Sequence, residues 1–195
     1  MFTINQEYIY EQTIKKSLFI SRIQPITSVE EANNYLKLIR KTHYDATHNC
    51  YSYILGEAGD NYKYSDDGEP SQTAGVAIYE VLKKNQMTNV ICIITRYFGG
   101  VKLGAGGLIR AYASSTSEIL KTSNLHEIIA YKNLHLEINY EFSNEVFKTL
   151  NDYENLDKSF TNKIFCIYKI PASEIDLIMD KLINITKNNI KMEVY

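Results

Sequence analysis

The chain has 195 residues, 45% of them hydrophobic and 23% charged, with a formal net charge of −2 at pH 7. That balance excludes a disordered chain and a uniformly basic protein that would coat nucleic acid through overall charge, while leaving room for one large or two modest domains. No apolar run approaches the ~20 residues of a membrane span, and the first residues lack the basic-then-apolar order of a signal peptide, so no membrane partner and a cytoplasmic address are expected.

In chain order, alternating residues predict strands from Ile4 to Gln12 and from Leu18 to Ile23. Ser28 and Glu31 form a capping box ahead of a helix that turns Ala32, Tyr35, Leu36 and Ile39 to one face. Cys50 to Leu55 reads as a short strand, Gly56 to Pro70 as a polar loop, and Thr73 as the start of a helix burying Ala74, Ala77, Ile78, Val81 and Leu82. The β-branched run Val90 to Thr95 is a buried strand, and a third helix after Gly107 presents Leu108, Ala111, Tyr112, Ser115 and Ile119.

Beyond Asn124 the pattern changes. Leu134, Leu136, Ile138 and Tyr140 alternate as a strand, and Ser143 caps a short helix burying Val146, Phe147 and Leu150. Ile164 to Ile170 alternates again, Ser173 and Asp176 open a helix through Ile175, Ile178, Met179, Leu182 and Ile185, and Ile190, Met192 and Val194 alternate to the end. With a fourth strand around Leu156 to Phe160, residues 125–195 form a ferredoxin-like βαββαβ unit, and the expected division is 1–124 and 125–195.

Three segments carry candidate chemistry. All nine glycines lie between Gly56 and Gly107, and RYFGGVKLGAGGLIRAY, from Arg96 to Tyr112, sets Gly99, Gly100, Gly104, Gly106 and Gly107 between a buried strand and a helix. Glycines let the backbone approach a ligand and aim its N–H groups at it, and a helix N-terminus carries about half a positive charge. Arg96, Lys102 and Arg110 add cations suited to phosphate, and the 37 residues between Glu80 and Glu118 contain five cations and no acid. Neither G-x-x-x-x-G-K-[ST] nor G-x-G-x-x-G occurs, which disfavours a standard nucleotide loop. The segment reads as an anion site, or as a tight turn whose arginines pair with a nearby acidic loop.

That loop contains SDDGEPSQTAG, Ser65 to Gly75. Asp66, Asp67 and Glu69 have the chemistry to bind Mg²⁺ or to act as acid and base, but Asp-Gly is also turn chemistry, and Ser71 or Thr73 can cap the next helix. In DATHNCYSY, Asp45 to Tyr53, His48 sits two residues from Cys50 with no orienting third group, so His48 reads as a hydrogen-bonding or RNA-contacting residue rather than a base for a nucleophile. Cys50, Cys92 and Cys166 contain no C-x-x-C pair and indicate neither a disulfide framework nor a zinc site. Among 16 tyrosines, Tyr97 and Tyr112 lie beside basic residues, where they would either stack on single-stranded bases or belong to the core.

The segments DATHNCYSYILG, SDDGEPSQTAG and RYFGGVKLGAGGLIRAY, in this order and spacing, resemble the YigZ/IMPACT family over most of the chain. One departure is Ala77, where many relatives carry proline. The resemblance implies a two-domain α+β protein. Its first domain would be similar to the second domain of a small-subunit ribosomal protein and to domain four of elongation factor G, its second to that factor's last domain. It also implies contact with RNA or the ribosome, and the eukaryotic branch resembles a translation regulator acting under amino-acid starvation through protein partners.

The leading expectation is a translation-associated, non-enzymatic protein that binds RNA or the ribosome through Arg96, Lys102, Arg110 and the glycine turn, with His48, Asp66, Asp67 and Glu69 as a supporting cluster. A metal-assisted hydrolase using His48, Asp66 and Asp67, and a protein adaptor in stress control, are the alternatives. No cofactor is expected, apart from the candidate Mg²⁺ at the acidic loop. A joint site requires the three segments to face one another.

Overall fold

VICIITRY is buried along seven of its eight residues, and in the computed structural model, which describes residues 1–195, it forms the centre of a five-stranded sheet. The strands β1 (Phe2–Thr3), β2 (Tyr8–Ile14), β3 (Ser17–Pro25), β4 (His48–Leu55), β5 (Asn61–Ser65) and β6 (Val90–Tyr97) occupy the first half of the chain. The sheet order is β2-β3-β6-β4-β5, antiparallel throughout.

Because strand side chains alternate, one face of β4 and β6 shows Tyr51, Tyr53, Ile91 and Ile93 to helix α1 (Val29–Thr42). The other face shows Cys50, Ile54, Cys92 and Ile94 to α2 (Gly75–Lys84) and α3 (Ala105–Thr122). Register pairs His48 with Arg96, so His48, Cys50 and Arg96 share the side covered by α2 and α3. Half of the capping box before α1 forms: Ser28 Oγ accepts from the Glu31 N–H at 3.1 Å, while Glu31 Oε2 accepts from the N–H of Thr27 at 2.6 Å rather than from that of Ser28.

Several elements differ from the sequence expectation, each for a physical reason. The first long strand starts at Tyr8, because Ile4 leaves the sheet to enter the core. Phe2–Thr3 instead pairs with β7 (His126–Glu127), and Leu125 packs against the first core, so the two units are Met1–Ile128 and Ile129–Tyr195. The loop expected over 56–70 contains β5, an edge strand held by backbone pairing to β4 with four of its five residues exposed, so it carries no burial pattern. Neither Ser71 nor Thr73 caps α2, whose start has no capping side chain of its own. Asp66 supplies the acceptors from outside: Oδ1 accepts from the N–H groups of Ala74 at 2.9 Å and Gly75 at 2.8 Å, and Oδ2 from Gln72 at 2.8 Å.

The second unit comprises β8 (Tyr131–Ile138), α4 (Ser143–Thr149), β9 (Glu154–Phe160), β10 (Ile164–Pro171), α5 (Ile175–Thr186) and β11 (Ile190–Val194). This is a βαββαβ arrangement with antiparallel order β11-β8-β10-β9. Leu134, Leu136, Ile138, Ile164, Cys166 and Ile170 form its core with Val146, Leu150, Ile178 and Leu182. Tyr140 falls in a short 3-10 turn rather than in the strand, and the residue capping α5 is Glu174, without a side-chain bond, rather than Ser173.

Asp66→Ala removes the acceptor of three helix-start N–H groups and is expected to destabilise the first unit by about 1 to 2 kcal/mol, with Asp66→Asn recovering part of that loss. Urea unfolding of the full chain measures it, and an unchanged midpoint would refute the capping role.

Candidate anion and nucleic-acid interface

Glu69 is buried, and a buried carboxylate must be paired or heavily hydrogen-bonded. Its Oε1 accepts from Arg96 Nη1 at 2.6 Å and from the Tyr112 hydroxyl at 2.8 Å, while Oε2 lies 3.7 Å from His48 Nε2. Arg96 Nη2 also reaches Ser17 Oγ at 3.3 Å, and the guanidinium lies 5.5 Å from the ring centres of both Phe19 and Phe98. His48 Nδ1 is 2.9 Å from the Asp67 carbonyl, which can only accept, so Nδ1 carries a proton and Nε2 is left facing Glu69.

These groups border a cleft of about 390 Å³. His48 and Thr47 come from β4 and its approach, Glu69 and Pro70 from the acidic loop, Arg96 and Phe98 from the end of β6, and Lys102 to Ala105 with Leu108 from the glycine turn and α3. The three segments therefore meet. Helix α3 begins at Ala105, three residues before the sequence expectation, with Gly104 before it at φ 72°, a left-handed conformation that favours glycine. No side chain caps that start and its first turn has no acid, which leaves the N–H groups there free of side-chain acceptors.

Lys102 and Arg110 are exposed and form no ion pair. Lys102 borders the cleft, whereas Arg110 borders a second groove, beside Lys15, and Leu103 lines both. A Cβ on Gly99 would fall 1.8 Å from the Lys16 carbonyl oxygen, so the β2–β3 turn packs directly on the glycine turn. Lys15 and Lys16, both exposed and unpaired, thereby join the cationic surface. Sequence reading missed them; the one available signal was two adjacent lysines between two predicted strands.

Other expected members sit elsewhere. Arg96 is not a free phosphate-binding cation, since Glu69 offsets its charge inside the protein. Asp66 is occupied by the start of α2, and Asp67 accepts from the Asn49 N–H at 2.7 Å and pairs with Arg40. The pair therefore lies outside the cleft, and no group of three or more His, Cys, Asp or Glu is placed to hold a metal ion, so these carboxylates do not fit a Mg²⁺ cradle. The His48–Asp66–Asp67 hydrolase constellation does not form for the same reason. Tyr112 is fully buried, and Tyr97 alternates with Ile93 to the α1 face of the sheet, where its hydroxyl bonds to His43 and Asp45, so neither ring borders the cleft; Phe98, 47% exposed, is the aromatic beside it. Cys50 is buried, and that burial, ahead of the nearby carboxylates, pushes its thiol pKa far up.

The fold and cleft define a two-domain α+β protein with a cationic glycine turn. A crystal structure of a hypothetical protein shares this architecture with a TM-score of 0.64, covering 98% of this chain and 95% of its own at 24% identity. The Impact N-terminal domain matches residues 15–120, and the chain belongs to the IMPACT family. It is 41% identical over 157 residues to the IMPACT family member YvyE of Bacillus subtilis (strain 168), which is 80% of this chain and 72% of that protein. The IMPACT family member YigZ of Escherichia coli (strain K12) is 35% identical over 112 residues, 56% of this chain and 55% of that protein. No helix is long and apolar enough to cross a membrane.

Glu69→Ala would leave Arg96 as an uncompensated buried charge and is expected to cost about 3 to 5 kcal/mol, with Glu69→Gln costing less; chemical denaturation of the two variants measures this. The thiols give a second check. Burial pushes Cys92 up to about 12 and Cys166 up to about 11, so at pH 8 the reactive thiolate is scarce as well as shielded. Iodoacetamide at pH 8 should leave all three cysteines unmodified in the native chain and label them in urea, whereas fast native labelling of Cys50 would restore it as a nucleophile.

Proposed function

We propose that this chain is a translation-associated RNA-binding protein whose glycine turn, Gly99 to Gly107, contacts phosphates through Lys102 and Arg110. The observation that carries the reading is the pair of exposed, unpartnered cations flanking an uncapped helix start. Backbone N–H groups, a helix dipole and long cationic side chains are the donors that fix nucleic-acid phosphates. Gly100 and Gly106 are exposed on either side of Lys102, and Gly104 and Gly107 shape the start of α3. Arg96 contributes from behind this surface: paired with Glu69, it holds the acidic loop, α3 and β6 together beneath the turn.

The proposed source of the RNA is the ribosome. The family resemblance supports this, since it implies likeness to domains of elongation factor G and of a small-subunit ribosomal protein, which touch RNA and the ribosome, and its eukaryotic branch resembles a regulator of translation. The anchoring of Gly99 to Ser17, whose Oγ accepts the Gly99 N–H at 3.2 Å, keeps the turn in place without using its cations.

Binding of a ribosomal RNA fragment, followed by fluorescence anisotropy across a salt series, tests the reading. Affinity is expected to fall steeply with salt, and Lys102→Ala and Arg110→Ala should each reduce the logarithmic salt slope by about 0.7 to 1. Affinity indifferent to salt and to both substitutions would overturn it.

A further inference from the structure

We propose that the cleft beneath the glycine turn takes one unpaired nucleotide of a single-stranded RNA, with its base stacked on Phe98. Its flanking phosphates would lie on Lys102 at one side of Leu103 and on Lys15, Lys16 and Arg110 at the other. The proposal rests on the RNA-binding reading above and narrows it from nucleic-acid phosphates in general to single strands.

The walls argue for a base. A surface that only binds phosphates needs donors, yet much of this cleft is made by Pro70, Phe98, Leu103, Ala105 and Leu108. Its volume of about 390 Å³ lies within the range of sites for small organic groups, which are mostly apolar with a few placed polar atoms. Phe98 is 47% exposed at this cleft, its backbone N–H donates to Thr47 Oγ1 at 2.9 Å, and the Arg96 guanidinium lies 5.5 Å from its ring. An anchored aromatic ring that stays half exposed is a stacking platform, and such platforms accept any base because every base has a π-face.

The polar groups argue for a ligand that donates. The Glu69 side chain is 3% exposed, and its Oε2 receives no hydrogen bond; His48 Nε2, at 3.7 Å, is too far to supply one. That nitrogen also borders the cleft, because the Asp67 carbonyl holds Nδ1 on the other side of the ring. That carboxylate oxygen, left without a donor among the apolar side chains of the cleft, matches the amino and ring N–H groups on a base edge.

The cations argue for a strand that passes through. Lys102 borders the cleft, and Lys15 and Arg110 border the groove on the far side of Leu103, so phosphates before and after the bound nucleotide meet positive charge. A duplex cannot present a base to Phe98, because its bases are stacked inside the helix.

The test uses the full chain with a single-stranded RNA of about 12 nucleotides carrying one 2-aminopurine, and with the duplex formed from it and its complement. The single strand is expected to bind roughly tenfold more tightly than the duplex, with the 2-aminopurine fluorescence quenched by stacking. Phe98→Ala should lose that preference and the quenching while keeping the salt slope, and Phe98→Tyr should retain both. Lys15→Ala with Lys16→Ala should lower the salt slope and leave the quenching. Equal affinity for strand and duplex, or quenching unchanged in Phe98→Ala, overturns the nucleotide cleft while salt-dependent binding through Lys102 and Arg110 stands. No salt-dependent binding to either RNA, including the case where only a protein partner is bound, overturns both readings.

Discussion

The first unit is organised around one buried ion pair. Glu69 and Arg96 are 27 positions apart in sequence, on a loop and on the central strand, and their contact at 2.6 Å lies almost entirely out of water. Such a pair gives little net stability over an apolar replacement, but once built it makes every nearby alternative costly, because moving either partner strands a charge. The Tyr112 hydroxyl on the same oxygen adds α3 to the arrangement, and Ser17 adds β3. The acidic loop, and the strand and helix on either side of the glycine turn, are thus held in one geometry, and the cleft is the space left in front of it.

This pairing also explains how a chain with net charge −2 presents a positive surface. The acids near the cleft are engaged by specific donors: Asp66 by the start of α2, Asp67 by Asn49 and Arg40, Glu69 by Arg96 and Tyr112. The lysines of the β2–β3 turn, Lys102 and Arg110 have no such partners. The total charge sums groups whose environments are unlike, so it cannot reveal which ones face solvent.

Legibility in the sequence followed the physical origin of each element. The buried strand β6, the amphipathic helix α1 with its Ser28–Glu31 box and the alternating strands of the second unit were readable, because periodic burial writes itself into adjacent residues. The edge strand β5 and the short β1–β7 pair were not, since β5 leaves four of its five residues exposed, with Tyr62 and Tyr64 lying on Tyr79 of α2, and β1 and β7 have two residues each, too few for a periodic pattern. Ser71 and Thr73 stand at the usual place for a cap on α2, yet Asp66 supplies it from across a turn. The stacking aromatic was sought among tyrosines; Tyr112 is in the core, and Phe98, one residue beyond the end of β6, holds the exposed position.

The sequence by itself determined the two-part α+β organisation, the βαββαβ order of the second unit and the glycine-rich turn with Lys102 and Arg110, because these depend on local periodicity, on glycine's backbone freedom and on residue type. Only the tertiary structure decided which charges remain available. Whether an arginine is a ligand contact or half of a buried pair, whether an aspartate holds an ion or a helix start, and which lysines lie beside the turn are settled by partners far away in the chain. Strand register and the close approach of Gly99 to Lys16 set those distances, and no local pattern encodes them.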